Sequence, residues 1–284
     1  MPARVGLIGH PVAHSISPRF QQAAFDAIAF DARYEAWDLD PDDLDAFIDG
    51  LRQEGSLGAN VTIPYKEAAA RSMDRLHQTA RFVGAINTIV RGDDATLEGY
   101  NTDVSGFQRT LEAEGFDPEG KQAVIWGAGG AARAVAWGLI WRKISGLTIC
   151  NRTAVRAGRL RHDLSSAAID VTLRAHGIDD AKAGAALARA DLVVNCTPIG
   201  LRGSGSENDA PFDVAVLPAH ATVVDLIANP VESALVRAAK RRGLVAVGGL
   251  PMLVYQGAAS FELWTRQEAP IDTMLEAAEA AMSG

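Results

Sequence analysis

The chain contains 284 residues, of which 48% are apolar, and 27 lysines and arginines stand against 35 aspartates and glutamates, for a net charge of −8. This length favours two domains over one and provides ample apolar material for two cores. The acidic balance and the lack of a long basic run argue against a nucleic-acid partner, because binding a phosphate backbone requires clustered cations.

The amino terminus and the cysteines indicate the cellular compartment. The first five residues lead directly into a strand-like run, and no window reaches the roughly 20 apolar residues of a membrane span. The two cysteines, Cys150 and Cys196, close apolar runs and lack metal-ligand spacing. We therefore expect a soluble, cytoplasmic protein with reduced thiols, no metal site and no membrane partner.

In the first third of the chain, short apolar runs alternate with helical patterns, which is typical of βαβ units around a mostly parallel sheet. The strand-like runs cover residues 5–8, 34–37, 59–63, 86–90 and 96–99. Helices are predicted after Pro18 and Pro41, because each proline suits a first helical turn and follows a residue able to cap it, Ser17 or Asp40.

The middle of the chain predicts six further strands, which matches the three-plus-three arrangement of a doubly wound dinucleotide-binding sheet. They lie near residues 123–126, 147–150, 171–173, 192–195, 222–226 and 244–247. After Gly249 the pattern is helical, over residues 252–266 and 271–282. We predict an α/β protein in which an N-terminal α/β substrate domain (residues 1–103) precedes a Rossmann-type domain (residues 104–250). The C-terminal helices (residues 251–284) are expected to return to the first domain.

A glycine-rich loop follows the first strand of the Rossmann-type domain and opens a helix, in the run from Gly127 to Ala132. Gly127 allows the tight turn and Gly129 lets the backbone approach a pyrophosphate. Gly130 and Ala131 begin the helix, whose free N–H groups and dipole favour phosphate. A purely structural turn is the alternative, but the six surrounding strands favour a nucleotide site.

The second strand of this domain ends without the acidic residue that binds the ribose 2′-hydroxyl of NAD. It reads Cys150-Asn151-Arg152-Thr153 instead. Arg152 and Arg156 offer guanidinium groups suited to a 2′-phosphate, so the pattern predicts NADP as the cofactor. A solvated arginine at a helix start is the alternative.

Polar side chains in the first domain occur near the ends of strand-like runs, at Asn60, Thr62, Lys66, Asn87 and Asp103. Such ends face the ligand-binding crevice in open α/β sheets, and Asn60 and Thr62, two apart, are expected on one face. Lys66 alone could be a solvated lysine and Asp103 a helix cap. Their shared position favours a site at which proton transfer accompanies hydride transfer.

Ser15 and Ser17 alternate on an extended segment that runs into a helix start. Two hydroxyl donors beside a helix amino terminus would hold a carboxylate, which only accepts hydrogen bonds. Ser17 could instead serve only as a cap. His14 has no obvious orienting carboxylate and is interpreted as structural.

Eight motifs in this order resemble those of the shikimate dehydrogenase family across nearly the whole chain. They are His14-Ser15-Ile16-Ser17-Pro18, the run from Asn60 to Lys66, the run from Gly84 to Thr88, Asn101-Thr102-Asp103, the run from Gly127 to Ala132, Asn151-Arg152-Thr153, the run from Asn195 to Gly200, and the run from Met252 to Gln256.

The resemblance implies reversible NADP-linked reduction of 3-dehydroshikimate to shikimate, in aromatic amino-acid biosynthesis, with Lys66 and Asp103 as the acid–base pair. Whether Lys66 transfers the proton or only stabilises charge is left open. The resemblance also implies a set of substrate-binding residues: Ser15, Ser17, Asn60, Thr62, Asn87 and Gln256. It further implies that Asn151, Arg152, Thr153 and Arg156 bind the adenosine phosphate, and that Thr197 and Gly249 line the cofactor.

The chain departs from the family pattern at three places. Gln21-Gln22 stands where the family usually has His-Asn, Ala228 replaces a tyrosine, and Pro251 replaces a small residue. A pocket without the tyrosine hydroxyl discriminates differently among substrates. A quinate/shikimate or aminoshikimate dehydrogenase is therefore an alternative.

Two residues argue against a quinate dehydrogenase. Quinate-using relatives often have threonine at the position of Ser17 and an acidic residue in the nucleotide motif, where this chain has Arg152. A shikimate- or cofactor-sensing protein on the same fold is disfavoured by the presence of both Lys66 and Asp103. A folate-linked dehydrogenase is disfavoured by the serine pair. We expect a small-molecule substrate and a monomer or homodimer.

Overall fold

The structure, a computed structural model, describes residues 2–283. The chain divides into two compact units, unit 1 with Met1–Gly106 and Leu253–Gly284, and unit 2 with Phe107–Met252. Both divisions fall inside helices, whereas the sequence predicts boundaries after residues 103 and 250. Within residues 2–283, no helix has the length and apolar character needed to cross a membrane.

Unit 1 is built on a six-stranded mixed sheet. Its strands are β1 (Ala3–Gly9), β2 (Ala32–Asp38), β3 (Gly58–Val61), β4 (Arg75–Leu76), β5 (Thr88–Arg91) and β6 (Leu97–Tyr100). The strand order is β2-β1-β3-β5-β6-β4. β1 is parallel to β2 and β3, whereas β5 is antiparallel to β3 and β6. A short turn joins β5 to β6, and a connection of that length permits only antiparallel pairing.

The register of these strands brings distant polar residues together. Thr88 pairs with Asn60 on β3 and with Tyr100 on β6. Asn87, which precedes β5, therefore lies beside the segment that follows β6, and that segment carries Thr102 and Asp103. Strand pairing thus assembles one polar cluster from three motifs that are far apart in the chain.

Within residues 2–283, seven helices lie wholly or partly in unit 1, and two of them come from the carboxyl-terminal part of the chain. Phe25 and Phe261 pack with ring centroids 4.9 Å apart. The prediction that the closing helices return to the first domain is confirmed. The helices are α1 (Ser17–Ala27), α2 (Leu44–Gly50), α3 (Lys66–Arg71), α4 (Gln78–Val83), α5 (Asp103–Ala113), α10 (Gly249–Thr265) and α11 (Ile271–Ser283).

The two glutamines that replace His-Asn of the family have defined contacts on α1. Gln21 is fully buried, and its Nε2 donates to the carbonyl oxygen of Gly257 on α10 over 2.9 Å. The Gln22 Oε1 accepts the N–H of Tyr34 on β2 over 2.9 Å. Both side chains therefore fasten α1 to its neighbours.

Unit 2 contains a second six-stranded sheet, and all of its strand pairs are parallel. The strands are β7 (Gln122–Trp126), β8 (Gly146–Asn151), β9 (Thr172–Gly177), β10 (Leu192–Asn195), β11 (Thr222–Asp225) and β12 (Val245–Val247). Their order, β12-β11-β10-β7-β8-β9, is that of a dinucleotide-binding sheet and confirms the predicted fold class. The connecting helices are α6 (Gly130–Trp141), α7 (Ala154–Leu164), α8 (Ala181–Leu187) and α9 (Ala234–Arg241).

The central strands of unit 2 are buried on both faces, as expected for a parallel sheet covered by helices. Alternate residues of β10 enter different cores: Val194 packs with Ile125 in one, and Val193 packs with Val124 in the other. Because both faces are apolar, these strands appear in the sequence as continuous hydrophobic runs.

Local predictions failed at a strand end, at a two-residue strand and at two helix caps. β3 ends at Val61 instead of residue 63, because the chain turns there and Thr62 O accepts the N–H of Tyr65. The short β4 was missed, since two residues carry no periodic pattern. The predicted caps do not act through their side chains: α1 begins at Ser17 itself, and Asp40 precedes a 3-10 turn without bonding to it.

Candidate active site

Lys66 and Asp103 form an ion pair in unit 1. The Lys66 Nζ lies 2.7 Å from Asp103 Oδ2. Lys66 opens α3 after the turn that follows β3, and Asp103 opens α5 after β6. The two side chains retain 29% and 14% of their exposed surface, so a small molecule can still reach them. Partial shielding from water strengthens their attraction relative to a fully exposed pair.

Asn87 links this ion pair to Gln256. The Asn87 Nδ2 donates to Asp103 Oδ1 over 2.8 Å and to Gln256 Oε1 over 3.2 Å. Each carboxylate oxygen of Asp103 thus accepts one hydrogen bond, from Asn87 or from Lys66. Two donors hold the carboxylate in one orientation. The structure therefore brings together four of the predicted site residues in unit 1.

Ser15 and Ser17 lie at the start of α1. The Ser15 Oγ accepts the N–H of Ser17 over 3.2 Å, so Ser15 supplies the hydrogen bond that a cap would make. Ser17 is buried and Ser15 is half-buried. Thr62 is half-buried and lies beyond the end of β3, so the strand alternation expected to align it with Asn60 stops short of it.

Asn60 is buried among protein groups. The Asn60 Oδ1 accepts the hydroxyl of Tyr34 over 2.8 Å, and its Nδ2 lies 3.0 Å from Asn87 O and 2.9 Å from Ser260 Oγ. With 5% of its surface exposed and both ends of its amide engaged, Asn60 has contacts that favour a supporting role behind Asn87. Burial also raises the pKa of the Tyr34 hydroxyl, so this donor keeps its proton.

In unit 2, the glycine-rich loop joins β7 to α6. Gly127 has φ +119, and a Cβ there would lie 3.0 Å from the carbonyl carbon of Cys196, so glycine is required by the fold. A Cβ on Gly129 or Gly130 would meet no atom within 4 Å. The open space in front of these two residues and the helix start at Gly130 fit a bound phosphate. Ala131 follows in the first turn.

The segment after β8 exposes two guanidinium groups. Asn151 ends β8, and its Nδ2 donates to Thr153 O over 3.1 Å, which shapes the turn into α7. Arg152 and Arg156 are both exposed. Neither has a carboxylate partner among the ion pairs of residues 2–283, so both remain available for a phosphate. The residues of unit 2 therefore fit a dinucleotide with a 2′-phosphate.

Thr197 follows β10 and is organised by a buried pair of polar residues. The Asn195 Oδ1 accepts both the N–H and the hydroxyl of Thr197, over 3.0 and 2.7 Å. The Asn195 Nδ2 donates to Asp225 Oδ1 over 2.8 Å, and Ser233 donates to the other oxygen of Asp225. Burial raises the pKa of the Asp225 carboxyl against the opposing effect of these hydrogen bonds.

Close packing requires glycine at position 249. A Cβ there would overlap the carbonyl oxygen of Leu226, so the backbone needs glycine whether or not a cofactor lies nearby.

The thiols of Cys150 and Cys196 are both free. Burial raises the pKa of Cys150 to about 12, and burial beside Asp225 raises the pKa of Cys196. Within residues 2–283, no His, Cys, Asp and Glu cluster suits a metal ion.

Three hydroxyl residues around Asn87 are not among the site residues predicted from the sequence: Thr88, Thr102 and Ser260. The two threonines lie inside recognised motifs, directly after Asn87 and directly before Asp103, and this adjacency could have identified them. Ser260 lies four residues after Gln256, and the helical spacing alone predicts that both lie on one face of α10.

Comparison with family models identifies two parts of the chain. Residues 7–89 match the shikimate dehydrogenase substrate binding domain, and residues 249–279 match the shikimate 5′-dehydrogenase C-terminal domain. The first match covers Lys66 and Asn87, and the second covers Gln256. The matched segments belong mainly to unit 1.

Whole-chain comparisons extend this similarity. A shikimate dehydrogenase (NADP(+)) from Symbiobacterium thermophilum is 47% identical, with 100% of this chain and 96% of the relative covered. A solved shikimate dehydrogenase in complex with NADP+ has a TM-score of 0.91 at 36% identity, covering 100% of this chain and 96% of that one. The Thermus thermophilus shikimate 5-dehydrogenase, solved with NADP(H) and shikimate, has a TM-score of 0.86 at 35% identity, covering 98% and 99%.

Proposed function

The chain belongs to the shikimate dehydrogenase family, and we propose that it catalyses the reversible NADP-dependent reduction of 3-dehydroshikimate to shikimate. It is an NADP-dependent oxidoreductase. The main support for the roles proposed for individual residues is the ion pair of Lys66 and Asp103, whose charged atoms lie 2.7 Å apart. Amide and hydroxyl groups around this pair can bind a polyhydroxy acid.

We propose that unit 1 binds the substrate. The hydroxyls of Ser15 and Ser17 would donate to the substrate carboxylate at the start of α1. Thr62, Asn87 and Gln256 would bind the substrate hydroxyls. The Gln256 Nε2 donates to Leu253 O over 2.7 Å, which leaves its second N–H for a ligand. Asn60 would support these residues from behind, in keeping with its buried contacts.

Lys66 and Asp103 would handle the proton. In the reduction, the Lys66 ammonium donates an N–H hydrogen bond to the carbonyl oxygen at C3 and then transfers its proton as the hydroxyl forms. In the oxidation, the neutral amine takes the hydroxyl proton back. Asp103 orients the amine through Oδ2 and balances the charge of its protonated form.

Unit 2 would hold NADP. Gly127, Gly129, Gly130 and Ala131 form the turn and helix start suited to the pyrophosphate, and Asn151, Arg152, Thr153 and Arg156 would bind the 2′-phosphate. Thr197 and Gly249 would line the remainder of the cofactor. When bound, the cofactor would supply the hydride chemistry at C3 of the substrate, as NADPH, the hydride donor, in the reduction and as NADP+, the hydride acceptor, in the oxidation.

The test is a spectrophotometric assay of the purified chain. Nicotinamide reduction is followed with shikimate, quinate or an aminoshikimate, each with NADP and with NAD. We expect kcat/KM to be highest for shikimate with NADP. A preference for quinate with NAD would overturn both the substrate and the cofactor, and cofactor binding without turnover of any of the three would favour a sensing role.

The position of Ala228 makes the substrate comparison informative. The residue lies after β11, where the family usually has a tyrosine. A substrate site that lacks one hydroxyl discriminates less between a substrate that would hydrogen-bond to that hydroxyl and a substrate that would not. We therefore expect the Ala228→Tyr variant to raise the ratio of kcat/KM for shikimate to that for quinate. An unchanged ratio would remove this position from substrate selection.

A further inference from the structure

We propose that the hydroxyls of Thr88 and Thr102 form a positioning pair that holds the Asn87 side-chain amide in the one orientation that serves Asp103. The pair does not touch the reacting atoms and acts through Asn87. The proposal rests on the roles of Lys66 and Asp103 proposed above.

The orientation of Asn87 matters because the two ends of an amide differ in chemistry but hardly in size. In the observed orientation, Nδ2 donates to Asp103 Oδ1 and to Gln256 Oε1. A flipped amide would bring its own oxygen against these two acceptors. Asp103 would then lose a donor and face a repulsive contact.

The groups behind Asn87 select against this flip. The Asn87 Oδ1 accepts the N–H of Thr102 over 2.7 Å and lies 3.1 Å from both Thr102 Oγ1 and Thr88 Oγ1. Asn87, Thr88 and Thr102 have 2%, 0% and 3% of their surface exposed, so water cannot replace a lost partner. A flipped Nδ2 would meet a backbone N–H and leave buried donors unsatisfied.

The proton count shows how the two hydroxyls share this task. The Ser260 hydroxyl donates to Gln256 O over 3.0 Å, so its oxygen accepts from its neighbours. Thr88 Oγ1 lies 2.7 Å from Ser260 Oγ, and Thr102 Oγ1 lies 3.1 Å from it. Asn60 Nδ2 also donates to Ser260 Oγ over 2.9 Å, and the two threonine oxygens lie 3.3 Å apart. Each threonine hydroxyl can therefore donate either to Asn87 Oδ1 or to a neighbouring hydroxyl of the cluster. Since either threonine can take either part, both must be changed to remove the effect.

The decisive comparison is between two double variants. Thr88→Val with Thr102→Val keeps the β-branched shape and removes both hydroxyls. Thr88→Ser with Thr102→Ser keeps both hydroxyls and removes two methyl groups. We expect the valine double variant to lose about ten-fold in kcat for shikimate oxidation, the effect of about one buried hydrogen bond. The serine double variant should stay within about two-fold of the parent protein, and NADP binding by unit 2 should be unchanged in both.

A thermodynamic cycle tests whether the pair acts through Asn87. In an Asn87→Ala background, the two valine substitutions should lower kcat no further, because the Asn87 amide that the hydroxyls position is absent. Thr265→Val is the matched control. The Thr265 hydroxyl donates to Phe261 O over 2.8 Å, as that of Ser260 does to Gln256 O, but makes no bond to the Asn87 cluster. This control should lose stability without losing kcat.

The proposal is overturned if the folded valine double variant retains kcat, if the serine double variant loses as much, or if the loss persists in full without Asn87. Should the valine double variant not fold, Thr102→Val is compared with Thr102→Ser; the expected loss is smaller because Thr88 can still donate to Asn87 Oδ1, and equal kcat in the two variants would overturn the proposal. An inactive parent protein would instead count against the proposed function. NMR signals of the Asn87 amide, assigned by their loss in Asn87→Ala, would then decide: sharp in the parent protein and broadened in the valine variants.

Discussion

Lys66 combines two properties that the proposed reaction needs, a positive charge and a proton that can be transferred. Its ammonium is held 2.7 Å from Asp103 Oδ2 and remains 29% exposed. Arginine would preserve the charge but cannot release a proton near neutral pH. Substitutions at this one position can therefore separate the two properties.

We expect Lys66→Ala to lower kcat about 10²–10⁴-fold, the usual contribution of a positioned general acid, with a smaller effect on KM. If proton transfer is the main contribution, Lys66→Arg should be nearly as slow as Lys66→Ala. The measurement is steady-state kinetics with shikimate and NADP, and Lys143→Ala, a change at a largely exposed surface pair, is the control. Near-normal kcat in Lys66→Ala would remove this residue from the chemistry.

Asp225 contributes a pH dependence of stability. Its carboxyl is fully buried, it makes no ion pair among the described residues, and burial raises its pKa above the ordinary value of 3.8. The folded protein therefore binds this proton more tightly than the unfolded chain does. Above the raised pKa the destabilising effect of the buried charge is fully present, and below the ordinary pKa it is absent.

We expect the free energy of unfolding of the parent protein, relative to Asp225→Asn, to fall as pH rises from the ordinary pKa to the raised one. Between the two pKa values the slope is about 1.4 kcal/mol per pH unit, the value for one proton bound on folding. Urea unfolding of both proteins between acidic and neutral pH measures this difference. A difference that stays constant over the range contradicts the assignment, and Asp213→Asn, at an exposed side chain, provides the control.

Among the structural elements, the β7–α6 turn separates glycines required by the fold from glycines available to a ligand. Gly127 adopts φ +119 beside the carbonyl of Cys196. Gly129 has an extended backbone, φ −96 and ψ −168, with open space around a Cβ. The fold itself requires glycine at position 127, whereas at position 129 only a bound ligand would require glycine.

We expect Gly127→Ala to destabilise the protein by about 1–3 kcal/mol, because alanine is strained at positive φ. Gly129→Ala should leave stability unchanged and weaken NADP binding, because a methyl group would separate the backbone from the pyrophosphate. Thermal denaturation without nucleotide and fluorescence titration with NADP provide the two measurements. Unchanged NADP affinity in Gly129→Ala would show that no phosphate approaches this residue.

At the scale of the whole chain, unit 1 is closed by a segment that follows unit 2 in sequence. Met274 on α11 is fully buried in unit 1, and α11 packs on α1. Unit 2, in contrast, is one continuous segment with cores of its own. A cavity in α11 should therefore affect unit 1 selectively.

We expect Met274→Ala to destabilise unit 1 by about 2–5 kcal/mol, the range for truncating a buried methionine. Met274→Leu, which preserves volume, should cost less than about 1.5 kcal/mol. Hydrogen exchange measured by mass spectrometry should increase in α1 and α11 of the alanine variant, but not in β7 and β8. Equal increases in both units would show that they unfold together.

The fold of unit 2 was predictable because its signals are local. Continuous apolar runs mark buried parallel strands, and a glycine-rich turn between a strand and a helix marks a phosphate site. The eight ordered motifs likewise identified the family from residues close together in the chain. These features depend on backbone preference and side-chain periodicity, and both are determined by residues close together in the sequence.

The cluster around Asn87 could not be obtained in this way. Ser260 and Thr88 are 172 positions apart, yet their hydroxyl oxygens lie 2.7 Å from each other. That approach depends on the register of β3, β5 and β6 and on the return of α10 to unit 1. Motif and periodicity can nominate Asn60 as a ligand for the substrate; the packing of distant elements surrounds it with protein donors and acceptors, because burial is a property of the assembled chain.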